Sequence, residues 1–152
     1  MRGPAQILAG GSLLAIVILA GITMAGAWPR PAPASVDPGS PGFQAGSAAV
    51  PRFIRIVAGP SLRFYPDVVP IAPGETITFE VSTMGMTSHE FMVGPKADVA
   101  ADREGTPEIA DIGMMQTKVL TFTFDGPGPF AFACHAPGHF EAGMAGTIVI
   151  QP

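Results

Sequence analysis

Hydrophobic and polar residues alternate with a period of two along most of the chain after residue 51. Apolar residues occupy every second position in residues 76–82, and residues 120–124 repeat this pattern. Such alternation is typical of strands with one buried face. Further strands are predicted at 53–57, 62–65, 89–93, 129–134 and 146–150, between turns rich in glycine and proline. About seven short strands in about 100 residues predict an all-β, Greek-key β-sandwich.

One segment, residues 95–113, interrupts the alternation. It contains five acidic residues and the tripeptide Thr106-Pro107-Glu108, which matches the cap and first turn of a helix. We therefore predict an insertion with one or two short helices. Its charges are predicted to form a solvated surface rather than a docking patch.

The chain begins with a long apolar segment. Residues 7–28 carry no charge, which is long enough for a membrane-spanning helix, whereas Ala25-Gly26-Ala27 matches a signal-peptide cleavage site. Residues 1–28 are therefore predicted to be either a membrane anchor or a cleaved signal peptide, and both place the rest of the chain outside the cytoplasm. Residues 29–51, rich in Pro, Gly, Ala and Ser, are predicted to be a flexible linker, and residues 52–152 the folded domain.

Composition excludes some classes of function. Residues 52–152 contain six Lys or Arg and eleven Asp or Glu, a formal charge of −5. This acidic balance argues against nucleic-acid binding, which requires clustered cations. Cys134 is the single cysteine, so no disulfide can form within the chain. Its thiol is expected to be either buried or used in chemistry.

A set of soft and imidazole donors stands out in the second half of the chain. Cys134, His139 and Met144 follow one another at intervals of five, and His89 lies upstream. One thiolate, two imidazoles and one thioether are the donor set that copper prefers. On regular strands these four side chains face inward, whereas His135 faces outward and is predicted to be a solvated loop residue or an outer-shell group.

These residues resemble the cupredoxin family of small blue copper proteins. The spacing Cys, four residues, His, four residues, Met is similar to that of rusticyanin and auracyanin, and Cys-His-x-Pro-Gly-His-x-x-x-Gly-Met also resembles periplasmic cupredoxins linked to copper tolerance. The resemblance covers residues 52–151. It implies one copper ion, cycling between Cu(I) and Cu(II), with His89, Cys134 and His139 as equatorial ligands and Met144 as the axial ligand. Many members have Asn or Ser after the first histidine, where this chain has Glu90, so the colour and potential of the site are open.

The resemblance also implies a role and a way of working. We expect single-electron transfer and no enzyme activity. Electrons would pass through the edge of His139, and redox proteins would dock on the small and apolar residues around it, which include Phe140. The protein is expected to be a monomer, with membrane contact only through its N-terminal segment.

Copper handling is an alternative to electron transfer. Met84 and Met86 precede His89, and Met114 and Met115 lie beside the predicted insertion. Thioethers favour Cu(I), so these residues could form a second site in a copper sequestration or tolerance protein, although methionine also fills gaps in cores. A zinc site fits less well because Met is a poor zinc ligand, and a hydrolase fits less well because Cys134 points to the core whereas its neighbour His135 points to the other face.

Overall fold

The computed structural model describes residues 37–152, which form nine strands and one short helix. The elements are β1 (Arg52–Gly59), β2 (Arg63–Tyr65), β3 (Val68–Ile71), β4 (Thr76–Thr83), β5 (His89–Pro95), α1 (Lys96–Ala100), β6 (Glu108–Ile112), β7 (Thr117–Thr123), β8 (Phe130–Ala133) and β9 (Ala145–Ile150). The predicted anchor or signal segment, residues 1–28, lies outside the described residues. No helix within residues 37–152 is long and apolar enough to cross a membrane.

The strands form two sheets, which confirms the predicted all-β sandwich. One sheet has the order β2-β1-β4-β7 and the other the order β3-β9-β8-β5-β6. Both sheets are mixed, because β1 pairs with β4 and β3 with β9 in parallel, whereas β4 with β7, β5 with β8 and β8 with β9 are antiparallel. Inward residues from both sheets share one hydrophobic core.

The alternation along β4 supplies one half of this core. Ile77, Phe79 and Val81 are completely buried. The Phe79 ring lies 5.1 Å from the ring of Phe91 on β5, in the opposite sheet, and the Phe91 ring lies 5.3 Å from that of Phe132 on β8. Buried aromatic side chains contribute large apolar areas and prefer such tilted contacts. These three rings therefore fix the two sheets relative to each other.

The predicted insertion differs from the structure in its second half. Helix α1 occupies Lys96–Ala100, but the helix start predicted at Thr106-Pro107-Glu108 is wrong, because Glu108–Ile112 forms strand β6 at the edge of a sheet. Ile109 and Ile112 are buried in the core, and the Val93 amide donates to the carbonyl of Pro107 at 3.0 Å. Burial of these two side chains and pairing with β5 outweigh the local helix-start signal. Strand β3, which contains Pro70, was not predicted at all.

Contacts of the folded unit begin upstream of Arg52. The Gly46 amide donates to Oε1 of Glu75 at 2.9 Å, and the Gly46 carbonyl accepts from the Thr76 amide at 2.9 Å. The buried Glu75 carboxylate also accepts from Arg52 Nε at 2.6 Å and from the Ala72 amide at 2.9 Å. Burial raises the pKa of Glu75, but the hydrogen bonds from Arg52, Gly46 and Ala72 outweigh it and hold the pKa below its ordinary value. The predicted boundary at residue 52 stays a prediction.

Candidate metal centre

Three strand ends position the proposed ligands at one end of the sandwich. His89 is the first residue of β5, Cys134 directly follows β8, and Met144 directly precedes β9. Because β5 and β8 are antiparallel, with Met92 opposite Ala133, the start of one strand lies beside the end of the other. The loop 134–144 then brings His139 back over this end.

The structure brings the three predicted equatorial ligands together. The donor atoms of His89, Cys134 and His139 all lie within 4.8 Å of one another, and all three residues are buried. Sγ of Cys134 lies 3.3 Å from Nδ1 of His139, and the two imidazole rings are 4.9 Å apart. Two nitrogens and one sulfur thus converge on a single small volume.

Backbone hydrogen bonds hold the loop that carries His139 and Met144. The Cys134 amide donates to the Met144 carbonyl at 3.1 Å, and the Met144 amide donates to the His139 carbonyl at 2.9 Å. Gly138 and Gly143 have φ of 80° and 90°, a left-handed conformation that a glycine adopts without steric cost. Met144 is fully buried in the same core cluster as Cys134. The loop therefore turns back on itself, so that Met144 reaches the core beside Cys134.

The environment of Cys134 acts on the thiol in two directions. Burial raises its pKa, and the nearby Glu90 carboxylate raises it further, whereas hydrogen bonds from the amides of Glu90 and Ala136 lower it; the net pKa is raised. The Glu90 amide lies 3.2 Å from Sγ. These amides stabilise a thiolate where burial alone does not.

His89 offers a direct test of whether a metal ion fits. Both of its ring nitrogens are buried and have no hydrogen-bond partner among the described residues. Burial, followed by the neighbouring His139, lowers the pKa of His89, so the ring is neutral at pH 7. A buried polar atom without a partner costs about 1–3 kcal/mol, and a neutral imidazole is a metal ligand. A copper ion bound by one of these nitrogens would offset that cost, and the soft donor set fits copper.

His135, which was predicted to be a solvated loop residue or an outer-shell group, lies outside this cluster in the loop 134–144 and is not fully solvated. Its Nε2 lies 2.8 Å from the Val99 carbonyl in α1, and its ring stacks on Phe140 at 4.7 Å. The residue is half-buried. It therefore connects the loop 134–144 to α1. This contact joins residues 36 positions apart, so no local sequence pattern predicts it.

The residues around His139 at the surface have small, mostly apolar side chains. Pro137, Gly138 and Ala142 are exposed, and His139 itself is 7% exposed. Phe140 is only half-buried, but it packs against the cluster that includes Met92 and Val99. The exposed part of the predicted docking surface is thus formed by its small residues, together with the exposed Glu141 between Phe140 and Ala142.

Comparison with protein families gives a match over most of the described chain. A family described as copper binding proteins, plastocyanin/azurin family, matches residues 54–151. A protein of Rubrivivax gelatinosus named copper-resistant cuproprotein CopI is 33% identical over 126 residues, which cover 76% of each chain. A protein of the same name from Vibrio cholerae is 29% identical over 119 residues, with 70% of each chain covered.

Solved structures show the same fold. Auracyanin A of Chloroflexus aurantiacus is 22% identical and has a TM-score of 0.56. The superposition covers 66% of this chain and 99% of auracyanin A. The reduced auracyanin of Roseiflexus castenholzii is 24% identical with a TM-score of 0.52, covering 97% of that chain and 66% of this one.

Proposed function

Because this chain belongs to the plastocyanin/azurin family of copper-binding proteins, with one copper ion as its cofactor, we propose that it transfers single electrons outside the cytoplasm. His89, Cys134, His139 and Met144 hold the ion. The observation that supports this proposal is the preassembled pocket, in which three buried donor atoms lie within 4.8 Å of one another.

Copper, when bound, supplies the exchange of one electron between Cu(I) and Cu(II). The protein's own residues keep the donors in place during that exchange. Pairing with Ile112 of β6 holds His89 at the start of β5, and the hydrogen bond from the Cys134 amide to the Met144 carbonyl holds the end of β8 that carries the thiol. The rings of Phe91 and Phe132 lie in the core beneath the pocket and exclude water. A site that moves little loses little energy to rearrangement, which is the property an electron carrier needs.

A redox protein docks, in this proposal, on the exposed residues Pro137, Gly138 and Ala142 around His139. Small side chains allow a partner to approach the imidazole closely, and their apolar character suits brief association. Two charges lie beside them, on the exposed Glu141 and on Arg63, which donates to the Ala142 carbonyl at 2.7 Å. Phe140 supports this surface from below rather than forming its contact face. The carrier works as a monomer.

The extracytoplasmic location rests on the predicted anchor or signal segment at residues 1–28. The role of carrier rather than enzyme is supported by the relatives, which are named cuproproteins. Within residues 37–152, the structure has one cluster of His, Cys, Asp or Glu donors with the spacing of a metal site.

Copper tolerance is a second candidate function, supported by the name copper-resistant cuproprotein that the relatives bear. Binding of copper in a buried site would remove the ion from solution without any electron transfer. The two functions make different demands on the surface, since a carrier needs partner access to His139 and a sequestering protein does not.

The first experiment tests the ligands. Full-length protein purified in detergent is loaded with Cu(II), and its visible absorption and EPR spectra are compared with those of Cys134→Ser. We expect a thiolate-to-copper charge-transfer band that is absent in the variant. A spectrum that is the same in both proteins would contradict the proposed site.

The second experiment separates the two functions. Ala142→Glu introduces a charge on the docking surface while leaving the pocket intact. If electron transfer is the function, a copper-sensitive host that lacks its own copy is not rescued by Ala142→Glu, although the variant binds copper. Full rescue would favour sequestration.

A further inference from the structure

Exposed methionines are confined to two loops of the described chain. Residues 37–152 contain six methionines, of which Met92 and Met144 are buried. Met84 and Met86, 56% and 90% exposed, lie in the loop between β4 and β5. Met114 and Met115, 55% and 76% exposed, lie in the loop between β6 and β7. A methionine that fills a core gap is buried, so packing does not explain these four.

Both loops lie at the end of the sandwich that holds His89. Strands β4 and β7 are antiparallel, with Ser82 opposite Thr117, and the Thr83 amide donates to the Gln116 carbonyl at 2.9 Å. His89, which ends the first loop, pairs with Ile112, which precedes the second. The two loops are therefore neighbours on the same surface.

One methionine of each loop adjoins the last hydrogen bond between β4 and β7. Met84 directly follows Thr83 and Met115 directly precedes Gln116, and the Thr83 amide donates to the Gln116 carbonyl. The Met84 amide donates to the Ala58 carbonyl at 2.9 Å, which keeps Met84 in line with its strand. Two long thioether side chains that flank one hydrogen-bonded pair of residues can reach one ion.

The second loop is a closed turn with an unfavourable residue in it. The Gln116 amide donates to the Gly113 carbonyl at 3.1 Å, and the Gly113 amide donates to Oε1 of Gln116 at 3.1 Å. Met115 has φ of 57°, a left-handed conformation for which glycine or asparagine is the favoured residue. An exposed methionine at this position contributes neither to the turn nor to the core. The thioether sulfur of Met115 is therefore free of any structural role and is available to bind a metal ion.

We propose that Met84 and Met115, with Met86 and Met114 as further donors, form a second, surface site that binds Cu(I). Thioethers are soft, uncharged donors, which select Cu(I) over harder ions. Three rotatable bonds let each side chain adjust to the ion. The site is separate from the buried pocket and does not depend on the proposed electron transfer.

The test is an anaerobic titration of the full-length protein with Cu(I) against a chromophoric Cu(I) chelator. The wild-type protein is expected to bind more than one Cu(I) per chain, and the variant Met84→Leu/Met115→Leu one fewer. Leucine keeps the volume and the apolar character of methionine and removes only the sulfur. Val119→Leu, an exposed apolar position in the middle of β7, is the matched control and keeps the wild-type number.

Two further measurements separate this site from the buried one. The Cu(II) spectrum of Met84→Leu/Met115→Leu reports the buried pocket and is expected to be unchanged. Cys134→Ser, with a disabled pocket, is expected to keep the Cu(I) bound at the surface. A wild-type protein that binds a single Cu(I), or a double leucine variant that loses none, overturns the proposal. Slower electron transfer in that variant with unchanged Cu(I) binding would also overturn it, since the loops would then be a docking surface.

Discussion

The main-chain amide of Glu90 donates a hydrogen bond to Sγ of Cys134 at 3.2 Å. The residue after the first histidine thus contacts the thiol through an atom that every residue except proline has. The presence of Glu90 where related proteins often have Asn or Ser leaves this contact intact. What the glutamate adds is a negative charge near the sulfur, which raises the pKa of Cys134 beyond the effect of burial.

Removal of this charge should raise the reduction potential of the copper site. A carboxylate favours Cu(II), which has one more positive charge than Cu(I). Glu90→Gln removes this preference and so stabilises Cu(I) relative to Cu(II). The Glu90 side chain is half-exposed, and a charge of this kind is worth about 0.5–1 kcal/mol, which corresponds to about 20–40 mV for one electron. Spectroelectrochemical titration of the full chain measures the change. The charge-transfer band should stay in place, and a lower potential in the variant would contradict the argument.

The buried carboxylate of Glu75 should make stability depend on acid. Its pKa in the folded state lies below the ordinary value of 4.5, so the unfolded chain takes up a proton before the folded chain does. The contribution of Glu75 is therefore complete above pH 4.5 and is lost as the pH falls through the lower folded value. Urea denaturation of the copper-free protein at a series of pH values should show this loss in the wild type and a flatter profile in Glu75→Gln.

At neutral pH, Glu75→Gln should lower the free energy of unfolding by about 3 kcal/mol, because the Arg52 guanidinium, whose side chain is only 10% exposed, loses its charged partner. The matched control is Glu80→Gln. Glu80 pairs with Arg55 at 3.0 Å, but both side chains are exposed, so its removal should change stability by less than about 1 kcal/mol. Equal losses in the two variants would mean that burial of the Arg52–Glu75 pair has no importance.

Gly46 should tolerate no larger side chain. A Cβ atom at this position would lie 2.1 Å from the Thr76 carbonyl oxygen and 2.3 Å from the Arg52 amide nitrogen. We expect Gly46→Ala to lower the free energy of unfolding by about 2–3 kcal/mol, since both neighbours are backbone atoms that must move. Ala48→Ser, at an exposed position of the same segment, should be neutral. If both variants unfold at the same urea concentration, the segment before β1 is not part of the folded unit.

The alternation of side chains predicted most of the fold because burial decided it. Residues 76–82 became β4 with Ile77, Phe79 and Val81 completely buried. The pattern failed at two of the four edge strands, β3 and β6, where local signals compete with pairing. Glu108–Ile112 has acidic exposed residues and follows a proline, so its sequence favours a helix start, and only its pairing with β5 makes it a strand.

The site was partly predictable for a similar reason. Spacing and strand parity indicated His89, Cys134, His139 and Met144, and the structure brings the first three together. Contacts made by main-chain atoms left no trace in the sequence, as the amide of Glu90 shows. The contact between His135 and the Val99 carbonyl joins residues 36 positions apart, and no local pattern relates them.

Charged substitutions in the loop 134–144 should separate the docking surface from its support. Ala142 is exposed, so Ala142→Glu should slow electron transfer to a redox partner several-fold and leave the copper spectrum and the stability unchanged.

Phe140 packs with Met92 and Val99 and stacks on His135 at 4.7 Å. Phe140→Glu places a charge where an apolar ring was half-buried, so it should lower the free energy of unfolding by about 2–4 kcal/mol. Stopped-flow kinetics with a chemical oxidant and with a protein partner, beside urea denaturation, measure both effects. Val119→Glu on the far β7 surface is the control for added charge. Wild-type transfer rates in Ala142→Glu with every partner would show that electrons do not leave through this face.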